Sequence, residues 1–136
     1  MSKLLVATKA HAGQVDKGGQ PYILHPLRLM LKFDSEIEMI VAVMHDVVED
    51  SDFTQYDLKK LAFQNVSLKQ LIVYLREMVR TTITFYYAYQ KNALAKKIKV
   101  EDIKDNLDMT RLNEITEKDL QRLQKYHQAL KILKGT

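Results

Sequence analysis

Cysteine and tryptophan are absent from the 136-residue chain, which also has only 2 prolines and 4 glycines. Without cysteine there is no disulfide, no thiolate metal ligand and no cysteine nucleophile, and a reducing compartment suits the chain. A strong charge bias is missing too. The 21 Lys and Arg residues face 17 Asp and Glu, a formal +4 that suits an anionic substrate or nucleic acid but is too mild to point to either. No apolar run approaches membrane length and the N-terminus has no signal-type apolar stretch, so a cytoplasmic protein with no membrane partner is expected. No run of alternating β-branched residues is present, and Leu, Ile, Met, Ala, Lys, Gln and Glu dominate, which predicts an all-α fold. With no linker-like stretch, residues 1–136 are expected to form a single domain. Nothing in the sequence specifies an oligomeric state.

What is present is concentrated in residues 37–50, IEMIVAVMHDVVED. Ile37, Ile40, Val41, Met44 and Val48 recur at helical spacing, and Val43 and Val47 widen the apolar surface over most of the circumference. Such a helix belongs inside a fold, with Ser35 and Glu38 as a capping box at its start. Its last turn nevertheless carries His45, Asp46, Glu49 and Asp50. Three carboxylates buried side by side need a cation, and a metal ion is the simplest one. On a helix Glu49 stacks over His45 and Asp50 over Asp46, so an ion reached by both His45 and Asp46 sits between two ridges and takes further ligands from elsewhere.

Three other stretches offer candidates. A first helix, capped by Ser2, runs through His11 and stops at Gly13. The loop DKGGQPYILHP (16–26) brings Lys17 into a glycine-rich turn and His25 to the cap of the next helix, with Pro26 at its first position. His25 is there either a ligand or a capping residue. In residues 92–112 the apolar stripe is Val100, Ile103 and Leu107, while Lys99, Asp102 and Asn106 share another face; Glu101, Lys104, Asp105 and Asp108 read as a solvated surface. Shorter helices are expected after Thr54 and from Ser67, followed by the aromatics Tyr86, Tyr87 and Tyr89. Thr116 and Asp119 cap a last amphipathic helix with Leu120, Leu123, His127, Leu130 and Leu133, in which His127 reads as a packed structural histidine.

In order, His25, the pair His45–Asp46 and Asp102 make the pattern H…HD…D, which resembles the HD superfamily of metal-dependent phosphohydrolases. More narrowly, AHAGQVDKGGQPYILHP, AVMHDVVED and IKVEDIKDNLDMTRL resemble the hydrolase domain of the RelA/SpoT family and its small stand-alone relatives, from about His11 to the C-terminus. The resemblance implies an all-α HD-type bundle with a central Mn²⁺ held by His25, His45, Asp46 and Asp102, although the same donors suit Fe²⁺ and Zn²⁺. It also implies removal of the 3′-pyrophosphate from guanosine tetra- or pentaphosphate, with Glu49 and Asp50 positioning and activating water. Lys17 would approach the substrate's phosphates and Asn106 its ribose; Lys99 and Arg111 are further candidates for phosphate charge. Asp16 departs from the pattern, standing where such hydrolases commonly carry an Arg that stacks on guanine. Asp105 replaces a His or aromatic residue. Asp16 is therefore expected to weaken guanine recognition and repel polyphosphate. One alternative is an HD-type nucleotidase or pyrophosphohydrolase acting on another nucleotide. The other is a non-catalytic helical binding module, against which the acid pair Glu49–Asp50 argues.

Glu49→Gln keeps the side chain's shape while removing a proton acceptor, so turnover is expected to fall roughly 10²-fold at unchanged metal content. Turnover and elemental analysis of the same sample check this; undiminished turnover would assign the proton to Asp50 or to no side chain.

Overall fold

A computed structural model describes residues 3–47 and 93–135 of the chain. These residues form helices α1 (Lys3–Ala10), α2 (Leu24–Met30), α3 (Glu36–Met44) and α4 (Ala93–Asn106), a 3₁₀ turn η1 (Met109–Arg111) and helix α5 (Glu117–Lys134). Among the described residues no strand forms, only an isolated bridge between Val15 and Pro21, so the fold is all-helical as expected. The helices expected after Thr54 and from Ser67, and the tyrosines 86, 87 and 89, lie outside the described residues.

Helix α3 is the centre. Val41, Ala42, Val43 and Met44 are consecutive and all buried, which on a 3.6-residue turn closes the full circumference. Around it lie α1, α2 and α4, and α5 packs on α4. Val6 and Ala7 of α1, Leu29 of α2, Ile98 and Ile103 of α4, and Ala129 and Leu133 of α5 complete the interior. Ile37, expected in the core, is instead 46% exposed, and Ser35 and Glu36 beside it at the start of α3 are exposed as well.

Several local expectations change. Ser35 does precede α3, but its side chain makes no capping hydrogen bond, and Glu38 pairs with Lys97 rather than closing the box. Helix α3 ends at Met44, short of the expected last turn: the His45 ring bonds the Ala42 carbonyl, and Val47 N–H donates to the Met44 carbonyl in a tighter i→i+3 step. His25 lies inside the first turn of α2, one residue beyond its start at Leu24, not at the cap. Pro26 is accommodated there because the first-turn N–H groups have no intrahelical acceptor. On α5 the Thr116–Asp119 capping box forms with both bonds in place, yet Leu120 is 46% exposed and His127 faces solvent. Ala129 and Leu133 centre the buried face, and His127 lies roughly 200° around the helix from Ala129.

The loop between α1 and α2 is drawn against η1. Asp16 Oδ1 accepts hydrogen bonds from the backbone N–H groups of Gly18 and Gln20, both at 2.9 Å, and Gly19 turns the chain with φ of 79°. A Cβ on Gly18 would lie 2.6 Å from the Arg111 carbonyl oxygen, an overlap that backbone cannot absorb cheaply. Gly18→Ala is therefore expected to destabilise the protein by about 1–3 kcal/mol, as overpacking does. Thermal denaturation checks it, and an unchanged Tm would mean that this loop and η1 do not touch in solution.

Candidate metal centre

Two helices bring matched pairs together. On α2, His25 and Arg28 are three residues apart and share a face; on α4, Asp102 and Asp105 do the same. His25 consequently meets a carboxylate at each ring nitrogen. Its Nε2 is 3.2 Å from Asp102 Oδ1, and its Nδ1 is 2.6 Å from Asp105 Oδ2. The end of α3 adds the other half: His45 Nε2 lies 3.0 Å from Asp46 Oδ2 and 3.7 Å from Asp102 Oδ1, and Asp46 Oδ2 is 3.3 Å from His25 Nε2. His25, His45 and Asp46 form the tightest group, with ligand atoms within 4.8 Å of one another. Asp102 adjoins the group through the two imidazoles. The four residues that the sequence pattern singled out are thus neighbours in space, and all four are buried.

The tautomers follow from what each Nδ1 faces. The Ala42 carbonyl, 2.6 Å from His45 Nδ1, can only accept, and so can the Asp105 carboxylate beside His25 Nδ1. Both rings therefore carry hydrogen on Nδ1 and turn Nε2 towards the shared space. His45 Nε2 is fully buried and has no aligned hydrogen-bond partner despite its 3.0 Å approach to Asp46. A short distance without donor alignment is how two ligands of one cation approach each other, and a nitrogen and carboxylate set of this kind fits a divalent metal.

Surrounding groups hold the carboxylates in place. The Tyr22 hydroxyl donates to Asp46 Oδ2 at 2.8 Å. Asn106 Nδ2 donates to Asp102 Oδ1 at 2.8 Å, and Lys99 Nζ to Asp102 Oδ2 at 2.6 Å. A cavity of about 450 Å³ opens against this cluster; His25, Asp46, Asp102, Asn106 and Lys99 line it together with Lys17, Arg111, Arg122 and Tyr126. The sequence singled out none of Tyr22, Arg28, Arg122 and Tyr126, and Asp105 it misplaced. The reading of Asp105 as solvated surface is wrong: its carboxylate takes His25 and, from Arg28, Nε at 2.8 Å and Nη2 at 2.9 Å. Its spacing of three from Asp102 was the one available signal. Glu101 and Lys104 do form an ordinary surface pair, and Asp108 caps η1 by accepting from Thr110 N–H. Asp16 is an anchor rather than a free charge, its Oδ1 held by the loop and its Oδ2 3.3 Å from Arg111 Nη1. Glu49 and Asp50 lie outside the described residues.

Charges in this cluster are strongly interdependent. Burial opposes protonation of His25, but hydrogen bonds with Asp102, Asp105 and Asp46 outweigh it and raise its pKa to about 11. For His45 burial also opposes protonation, while the charge of Asp46 and the nearby Asp102 carboxylate bring it up to about 9. Burial favours the neutral acid at Asp46, Asp102 and Asp105. It is overcome at Asp46 by His45 and His25, at Asp102 by Lys99 and the two imidazoles, and at Asp105 by His25 and Arg28, so all three are held well below the ordinary carboxylate range.

Comparisons with known proteins bear on the fold and on part of the sequence. No family model matches the chain. It is 41% identical over 58 residues to a guanosine-3′,5′-bis(diphosphate) 3′-pyrophosphohydrolase of Vibrio cholerae, a match covering 40% of this chain and 8% of that protein. It is 38% identical over 68 residues to the bifunctional (p)ppGpp synthase/hydrolase SpoT of Escherichia coli, covering 46% of this chain and 10% of that one. The matches thus span a tenth or less of these relatives' lengths. A solved structure described as a metazoan ortholog of SpoT that hydrolyses ppGpp superposes with a TM-score of 0.71 over 98% of this chain and 84% of that one, at 24% identity, which establishes the fold. The likeness to RelA/SpoT-type hydrolases read from the motifs is borne out.

Metal-free protein should depend on pH through the two imidazoles. Their pKa values are raised in the fold, so the stability they contribute is full below the ordinary 6.5 and declines as pH rises through about 9 for His45 and about 11 for His25. The Tm of chelator-treated protein is expected to fall steadily across this window, and that of Mn²⁺-loaded protein to fall less, because a bound cation meets the carboxylates at any of these pH values. Equal pH profiles with and without metal would contradict this electrostatic account.

Proposed function

We propose that this RelA/SpoT-like chain is a metal-dependent phosphohydrolase that removes the 3′-pyrophosphate from guanosine 3′,5′-bis(diphosphate) or a closely related nucleotide. The observation that carries the reading is the convergence of His25, His45, Asp46 and Asp102 beside a cavity, with His45 Nε2 buried and without an aligned hydrogen-bond partner. These four residues would hold the ion, and Mn²⁺ is the ion proposed, with Fe²⁺ and Zn²⁺ as chemically suitable substitutes. When bound, it supplies a Lewis acid for the phosphoryl oxygen.

The chain's own residues contribute orientation, charge and proton transfer. Tyr22 holds Asp46, and Asn106 and Lys99 hold one oxygen each of Asp102, which keeps both carboxylates from rotating away from the imidazoles. Lys17 and Arg111 line the cavity and offer positive charge to the substrate's phosphates. Water adds to the phosphorus next to the 3′ oxygen, the bond from that phosphorus to the 3′ oxygen breaks to release pyrophosphate, and the 3′ oxygen leaves as a hydroxyl with the proton that the water gives up, passed on by its acceptor. Glu49 or Asp50 is the proposed acceptor for the water's proton, on sequence grounds.

A second reading keeps the chemistry and changes the nucleotide. Asp16 favours it, since an anchored carboxylate lines the cavity at the position where the resembling hydrolases carry a base-stacking Arg. Because Asp16 ties down its own loop and Arg111, Asp16→Arg should loosen the cavity wall.

The test is pyrophosphate release from guanosine 3′,5′-bis(diphosphate) and from a panel of other nucleotides, with added Mn²⁺, by wild type and by His45→Ala. Turnover of the guanosine compound is expected for wild type, with metal and activity both lost in His45→Ala because one of the ligands is gone and two buried carboxylates remain. Turnover confined to other nucleotides selects the second reading. A His45→Ala protein that retains stoichiometric metal removes His45 from the ligand set.

A further inference from the structure

Asp105 is the residue that the sequence consigned to the surface and the fold placed behind His25. We propose that Asp105 is a positioning residue: it fixes the tautomer and orientation of His25 so that Nε2 faces the metal centre, with Arg28 as the clamp that holds Asp105 in place. This deepens the metal-binding reading above and rests on it.

The geometry is specific. Asp105 Oδ2 lies 2.6 Å from His25 Nδ1, the ring nitrogen turned away from Asp46 and Asp102. An ionised carboxylate only accepts, so the hydrogen of a neutral His25 stays on Nδ1 and the lone pair on Nε2. Arg28 grips both oxygens, Nε to Oδ1 at 2.8 Å and Nη2 to Oδ2 at 2.9 Å, and a bidentate fork of this kind sets the plane of the carboxylate. Arg111 adds Nη2 to the Asp105 backbone carbonyl at 2.8 Å. The Arg28 fork thereby fixes the carboxylate, and Arg111 the backbone that carries it, before the carboxylate meets the imidazole. His45 receives the equivalent service from a backbone carbonyl at 2.6 Å, which no side-chain substitution removes. His25 depends on a side chain, and that makes its orientation testable.

Carboxylates that support a ligating histidine in this way are generally worth 10–100-fold in metal affinity. Titration calorimetry with Mn²⁺ on wild type, Asp105→Ala and Arg28→Met reads the effect without any substrate. Asp105→Ala is expected to weaken Mn²⁺ binding by roughly 10–100-fold. Arg28→Met, which removes the ion pair but leaves the acceptor for Nδ1, is expected to weaken it by less than about 5-fold, since only the clamp is lost. Equal losses in the two variants would mean that a structural ion pair, and no positioning of His25, underlies the effect; an unchanged Kd in Asp105→Ala would overturn the proposal outright. If Asp105→Ala does not fold, the wild type still decides. Two-bond ¹H–¹⁵N spectra of Zn²⁺-loaded protein should show His25 protonated on Nδ1, and protonation on Nε2 overturns the assignment. Absence of Mn²⁺ binding by wild type would instead overturn the metal reading beneath it.

Discussion

Carboxylates buried against imidazoles with little water set the terms for the whole described structure. Asp46 and Asp102 lie among two histidines, each of these groups is almost fully enclosed, and the cost of stripping such charges of water is several kcal/mol apiece unless positive charge meets them. The fold answers in layers. Lys99 takes one oxygen of Asp102, and the imidazole nitrogens converge on the other and on Asp46 Oδ2, the same two atoms to which Asn106 and Tyr22 donate hydrogen bonds. A site assembled in this way attracts a cation, whether protons on the histidines or a metal ion between them.

The helices serve that assembly. A helix whose last turn is as apolar as that of α3 could sit inside any bundle, but its C-terminal end can carry His45 and Asp46 into the interior only where α2 and α4 bring His25 and Asp102 to meet them. Two pairs at a spacing of three make the meeting reproducible, because His25 and Arg28 on one helix face Asp102 and Asp105 on the other. Around this contact the hydrophobic groups are ordinary, and no unusual backbone is needed to hold it: every described residue with positive φ is a glycine.

From the histidine–aspartate cluster to the cavity wall runs a continuous series of charged contacts. His25 bonds Asp105, Asp105 takes Arg28 and Arg111, and Arg111 reaches Asp16 in the loop before α2. Gly18 lets that loop approach the Arg111 backbone more closely than any larger residue would allow. Arg111 is thus held by two acidic residues while lining the cavity, which gives its guanidinium a defined place in the wall. Arg122 and Tyr126 from α5 complete the wall, the former pinned to Asp119 of the capping box.

Helical class, the buried character of α3 and the order of the histidine and aspartate residues were all determined by sequence, because apolar periodicity and side-chain chemistry are local properties that survive without knowledge of neighbours. So were the Thr116–Asp119 cap and the break at the glycine-rich loop. Tertiary structure alone decided which charged residues on α4 are surface and which are site: Asp105 and Glu101 look alike in the string, and only the arrival of α2 at one side of the helix separates them. It likewise decided that α3 stops at Met44, since the His45 ring competes for a carbonyl within its own helix, and that Glu38 answers Lys97 from a distant helix instead of its own cap. Asp16 shows the same limit most plainly. As a letter it is a negative charge beside a phosphate site, and only the folded loop, with its two backbone N–H groups and Arg111, shows that charge already spoken for.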